Sequence, residues 1–191
     1  MRFNSSATIH WQTLGVNDLR WWNAPEFYEG TNTVQDIATV VGFGSVRDIG
    51  CGYGRLAKLF KVENYVGYDI GLGAISQANR LNSPYKFVHW DFSTLPFADT
   101  TLFVNGPHLV AESEINDLVS LLCENTTAIV FAEIMGTENA KKIQYNGELN
   151  YRNIETYDSM LMQHNFKRLT TVYGMHELHK LPYTIARWEH E

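Results

Sequence analysis

The chain has 191 residues, 45% of them hydrophobic and 19% charged, with a formal net charge of −6, which is enough for the substantial core of a single domain. Excess acid argues against a general nucleic-acid binder, whose phosphate contacts draw on clustered Lys and Arg; the longest basic runs are the pairs Lys141-Lys142 and Lys167-Arg168. Cys51 and Cys123 are too few for a disulfide framework or a Cys-based zinc site, no apolar stretch approaches a bilayer span, and Met1-Arg-Phe-Asn-Ser-Ser lacks a signal-peptide core, so the expected location is the cytoplasm without membrane insertion.

The segment 1–33 is dense in aromatics, with Trp21-Trp22, Phe27 and Tyr28, and reads either as a lid-like cover or as packing against the first helix. That helix is expected from Val34, Ile37, Ala38 and Val41, with Thr33 as N-cap and Gly42 as its stop. Strand patterns follow at 46–49, 65–68, 86–89, 102–104 and 128–132. Helical patterns fall between most of them: Leu56, Leu59 and Phe60 mark one, and Ile115, Leu118, Val119 and Leu122 another. This alternation predicts an α/β fold of βαβ units whose parallel sheet is covered on both faces. The polar stretch 136–153 reads as a surface loop or a substrate-contacting insert. A helix through Tyr157, Met160, Leu161 and His164 precedes two closing strands at 169–172 and 184–188, whose short connection makes them antiparallel.

Three glycines alternate in Asp48-Ile-Gly50-Cys-Gly52-Tyr-Gly54-Arg55, between the first strand and the helix expected after it. Glycine admits positive φ and close backbone approach, and a following helix offers free N–H groups, so the turn predicts a bound cofactor. A dinucleotide fingerprint would place its third glycine where Arg55 stands, and Asp48 would repel a pyrophosphate. That carboxylate favours a cofactor carrying an ammonium and a sulfonium over a nicotinamide dinucleotide.

The chain resembles the class I S-adenosylmethionine-dependent methyltransferases, roughly from Val34 to its C-terminus, in three separated motifs. The stretch from Val46 through Asp48, Gly50, Cys51, Gly52 and Gly54 resembles the family's first motif, which wraps the methionine end of the cofactor. Tyr65-Val-Gly-Tyr-Asp69-Ile70 resembles the second, where the acid takes the ribose hydroxyls and the next residue packs on adenine. Phe87-Val-His-Trp-Asp91-Phe92 resembles the third; by the resemblance Asp91 accepts from the adenine amine and the Phe92 N–H meets a ring nitrogen. The resemblance implies a Rossmann-like three-layer sandwich with a mostly parallel seven-stranded sheet and an antiparallel last strand. It also implies S-adenosyl-L-methionine as cofactor and S-adenosyl-L-homocysteine as product. One departure is expected: many relatives have an acid at the start of strand four, where this chain reads Thr100-Thr-Leu-Phe-Val.

Methyl transfer chiefly needs alignment and exclusion of water, and a hydroxyl acceptor adds the need for a base. His108 follows Asn105-Gly106-Pro107 in the loop after strand four, which in the resembling family borders the sulfonium and acceptor. It is the expected base, against the plainer reading of a structural histidine. Glu112, four residues on, is expected to orient it or to favour a helix start. Asn105 in the same loop, and Tyr28 and Trp22 from the aromatic segment, are expected at the cofactor. Glu133, ending strand five, is a candidate for binding the acceptor. His89 reads as structural, and His176 and His179 as loop residues with no metal-ligand spacing. The favoured acceptor is a small metabolite, sugar or saccharide, methylated on oxygen or nitrogen. The alternative is a cofactor-binding subunit or sensor that methylates nothing.

Overall fold

The computed structural model describes residues 3, 31–133, 150–176 and 180–191. Helix α1 (Asn32–Val41) leads in; Thr33, expected as its cap, lies inside the helix and is fully buried, and Gly42 ends it at φ +74 with its N–H on the Ala38 carbonyl. Seven strands follow: β1 (Val46–Ile49), β2 (Tyr65–Asp69), β3 (Lys86–His89), β4 (Ala98–Val104), β5 (Thr126–Glu133), β6 (Phe166–His176) and β7 (Leu181–His190). Their order is β3-β2-β1-β4-β5-β7-β6. β1 to β5 pair in parallel, β7 runs antiparallel to β5, and β6 runs antiparallel to β7. Helices α2 (Leu72–Leu81), α3 (Ile115–Cys123) and α4 (Ile154–Met162) lie after β2, after β4 and before β6.

Side-chain alternation along each strand sorts the core into two layers. Leu102 and Val104 of β4 pack with Ile37 and Val41 of α1 and Ile75 and Ala78 of α2. Phe103, between them, faces the other way, with Leu118 and Leu122 of α3 and Tyr157 and Leu161 of α4. The central strand β1 is buried along its whole length, as a strand covered on both faces must be. It carries a charge into that core. Arg47 is 2% exposed, and its guanidinium donates to Thr101 Oγ1 (2.7 Å), Pro96 O (3.0 Å), Leu122 O (2.7 Å) and Glu124 O. These bonds tie the sheet to the C-terminal end of α3. Burial lowers the Arg47 pKa to about 10, still charged at neutral pH.

Three expectations are corrected. The helix expected through Leu56, Leu59 and Phe60 is a 3-10 turn, Ala57–Leu59, with bonds from Leu59 N to Leu56 O and from Phe60 N to Ala57 O. The left-handed glycines end at Gly54 and the next 3-10 turn, Val62–Asn64, begins soon after. The few residues between are too short a run to repay helix nucleation. β4 begins at Ala98, not at 102, so an acid, Asp99, does stand at its start. Its Oδ2 accepts from Ser45 N and Oγ at 2.7 Å each, at the amino end of the sheet. Finally, β6 runs on to His176, which is fully buried where an exposed loop was expected; the Lys180 N–H closes that hairpin on the His176 carbonyl.

Candidate functional site

β1 lies between β2 and β4, so the connection leaving β1 for β2 and the one leaving β4 for β5 run to opposite sides there, the place where ligands bind in open α/β sheets. Gly50, Gly52 and Gly54 turn at φ 66, 56 and 78. At Gly54 a Cβ would lie 2.5 Å from Phe87 Cζ and 2.8 Å from Asn82 Nδ2, so any side chain would force the turn off the sheet. Asp69, ending β2, braces the turn: its Oδ2 accepts the Gly52 N–H (2.9 Å) and its Oδ1 the Gly71 N–H (2.8 Å). Asp48 is 1% exposed. Its Oδ2 accepts from the Tyr65 hydroxyl (2.7 Å), while Oδ1 is buried without a hydrogen-bond partner among the described residues. Such an oxygen is costly to keep and is poised for a donor from a ligand.

Further along this edge, Ile70 packs against the layer that holds Tyr68 and Trp90, and its carbonyl lies 3.1 Å from His89 Nε2. Asp91 is exposed and its Oδ1 accepts the Ser93 N–H (3.1 Å); the Ser93 hydroxyl first, and then that N–H, hold its carboxyl below the usual range. Phe92 and Asn105 take left-handed backbone at φ 64 and 53, strain of the kind that clusters in ligand-binding turns. The Phe92 ring stacks on Phe3 with centroids 3.9 Å apart and planes 15° apart.

A second polar cluster gathers where β4 and β5 end. His108 sits in the 3-10 turn Pro107–Leu109, 1% exposed, its ring parallel to Tyr151 at 5.0 Å. Its Nδ1 is 3.9 Å from Glu133 Oε1 and makes no hydrogen bond among the described residues. The Tyr157 hydroxyl donates to the same Glu133 oxygen (3.0 Å). Arg152 staples the turn from outside, donating to the carbonyls of Pro107 (3.0 Å) and Val110 (3.0 Å) and to Glu112 Oε2 (2.6 Å).

Residues 47–104 match the methyltransferase-domain family. No curated protein sequence matches the chain. Among solved structures, a magnesium protoporphyrin IX methyltransferase of Synechocystis PCC 6803, with S-adenosylmethionine bound, aligns over 100% of both chains at a TM-score of 0.71 and 13% identity. The N-methyltransferase NodS of Bradyrhizobium japonicum WM9, bound to S-adenosyl-L-homocysteine, aligns over 96% of each chain at 0.67 and 14%. A methyltransferase of Thermotoga maritima aligns over 90% of this chain and 93% of its own at 0.68 and 14%. The fold is that of a class I S-adenosylmethionine-dependent methyltransferase.

Within this methyltransferase fold, the first two motifs and the turn after β4 converge on one sheet edge, while Asp91 stays exposed beside it. Glu112 goes to Arg152 and is 72% exposed, so it reaches the His108 turn through that guanidinium. Cys51 lies 3.7 Å from the Gly52 carbonyl, and burial pushes its thiol well above the ordinary value, which makes it a filler of the turn rather than a nucleophile. Tyr28, Trp22, His179 and most of the 136–153 stretch lie outside the described residues. No helix among the described residues is long and apolar enough to cross a membrane. Tyr151 and Arg152 were legible only as part of a loop or substrate-contacting insert and Tyr157 only as a helix position, because nothing in their spacing shows that the segment before α4 returns to β4. Phe3 was missed for the same reason.

The electrostatics of this sheet edge are set by burial. Desolvation raises the Asp48 pKa to about 6, with Arg55 and the Tyr65 hydroxyl pulling the other way. Folded protein therefore holds this proton to higher pH than unfolded chain, and stability falls as pH rises from about 4 to about 6, then stays reduced. The two-unit window is worth about 3 kcal/mol. Asp48→Asn keeps an acceptor for Tyr65 and removes the charge. At pH 8, without ligand, it is expected to melt above wild type by thermal denaturation while binding S-adenosylmethionine more weakly; an equal or lower melting temperature contradicts this.

Proposed function

We propose that the chain is a methyltransferase that moves a methyl group from S-adenosylmethionine to an oxygen or nitrogen of a small soluble acceptor, a metabolite, sugar or other saccharide. The observation that carries this reading is the buried Asp48 Oδ1, without a partner among the described residues, beside the glycine turn that Asp69 braces. The residues fit the cofactor. Asp48 has an oxygen for the ammonium or a water bound to it, and Asp69 has lone pairs left for ribose hydroxyls after its two backbone bonds. Ile70, Asp91, Phe92 and Asn105 line the same edge for the adenine and the sulfonium end. When bound, the cofactor supplies an electrophilic methyl carbon on a sulfonium. The chain orients the acceptor against that carbon and excludes water from it.

A nicotinamide dinucleotide fits worse. Its pyrophosphate needs a helix N-terminus, and a 3-10 turn takes that place after the glycines, beside a buried carboxylate. The non-catalytic alternative gains no support from the His108–Glu133 cluster, since cofactor binding alone needs no second set of buried titratable groups. Incubation with methyl-labelled S-adenosylmethionine and a panel of sugars, alcohols, phenols and amines should label at least one class. Tight cofactor binding with no label in any of them would favour the partner-subunit reading.

A further inference from the structure

We propose that Glu133 takes the proton from the methyl acceptor, with Tyr157 fixing its carboxylate and Arg152 positioning the turn that sets His108 beside it; this rests on the methyl-transfer reading above. Glu133 ends β5, next to β4 and one strand beyond β1. The carboxylate is held at one oxygen: Oε1 accepts from the Tyr157 hydroxyl at 3.0 Å and lies 3.9 Å from His108 Nδ1. Oε2 makes no hydrogen bond to a described residue. Exposure separates the two candidates for the base, since the Glu133 side chain is 16% exposed and that of His108 1%. The imidazole is further covered by the Tyr151 ring stacked on it.

The titratable and charged groups facing Glu133 are His108 from the turn after β4, Tyr151 and Arg152 from the segment before α4, and Tyr157 from α4. Arg152 does not pair with Glu133 directly. Its N–H groups are taken by Pro107, Val110 and Asn150 carbonyls and by Glu112. Burial raises the Glu133 pKa to about 7, with the Tyr157 hydrogen bond and Arg152 pulling it back. Burial, helped by the Arg152 charge, lowers His108 to about 4. A base works best when its pKa lies near the operating pH, which the carboxylate meets and the imidazole does not. In the step, the acceptor's O–H or N–H bond breaks and its proton passes to Glu133 Oε2. The electron pair stays on the acceptor atom and forms the bond to the methyl carbon, while the carbon–sulfur pair goes to sulfur.

The test requires no known acceptor. Protein carrying 13C at glutamate carboxyls is titrated by NMR with S-adenosylmethionine bound and again with S-adenosyl-L-homocysteine bound. Calorimetry on the same samples confirms occupancy. One carboxyl should titrate near neutral pH and be absent in Glu133→Gln. Its midpoint should lie about one pH unit lower with the cationic sulfonium than with the neutral thioether, as an opposite charge within a few Å requires. Tyr157→Phe should raise the midpoint by removing a donor to the charged form, and it also identifies the resonance if Glu133→Gln fails to fold. Binding of both ligands with one common midpoint overturns the Glu133 assignment alone. Binding of neither overturns the methyl-transfer reading and this proposal together.

Discussion

Replacing Asp69 with Ala is expected to weaken S-adenosylmethionine binding about a hundredfold, measured by calorimetry, while the protein stays folded. The carboxylate makes two charge-assisted bonds to the backbone, to Gly52 and Gly71. At about 1.5 kcal/mol each, their loss amounts to roughly 3 kcal/mol, and it falls on the turn that must hold its shape around the ligand. Ribose hydroxyls add to that loss if Asp69 accepts from them. Burial raises the Asp69 pKa, opposed first by those same backbone bonds, so the native carboxylate depends on its partners as they depend on it. A tenfold or smaller change in affinity would mean that the turn keeps its shape around the ligand without the Asp69 brace.

Arg47→Met is expected to cost about 3–5 kcal/mol of folding stability, or roughly 10 °C in melting temperature for a chain of this size. A buried ion pair can be replaced by apolar residues at little cost because both charges leave together. Arg47 is different. Its partners are the Thr101 hydroxyl and the carbonyls of Pro96, Leu122 and Glu124, and the carbonyls stay behind in the core after the guanidinium is gone. Met fills much of the volume, so the measured loss reports those stranded acceptors. A melting temperature within about 2 °C of wild type would show that water or a backbone shift satisfies them instead.

Much of the sheet was legible from β1 to β5 because period-2 burial and short apolar runs mark central strands. The cofactor edge was legible because its residues lie within a few positions of strand ends. Asp48, the alternating glycines and Asp69 occupy one edge for a topological reason: Asp48 is the penultimate residue of β1, the glycines directly follow that strand, and Asp69 ends the parallel β2. Local periodicity misled at Leu56, Leu59 and Phe60, where left-handed glycines and the adjacent turn at Val62 leave no room for a helix. It also hid the first residues of β4, since Ala98 and Asp99 carry no strand signature and are held there by the Asn125 carbonyl and by Ser45, respectively. The polar cluster around His108 was the least legible part. Glu133 was visible as a strand end, but its meeting with Tyr157 depends on the return of a segment far along the chain. His108 drew attention by residue type, and only its burial and the nearby Arg152 charge show why its basicity is lowered.

The most direct test of the central claim is isothermal titration calorimetry of the unmodified protein with S-adenosylmethionine, S-adenosyl-L-homocysteine and NAD. Binding of the first two and none of NAD is the predicted result. Binding of NAD, with no heat from either adenosyl compound, would contradict it.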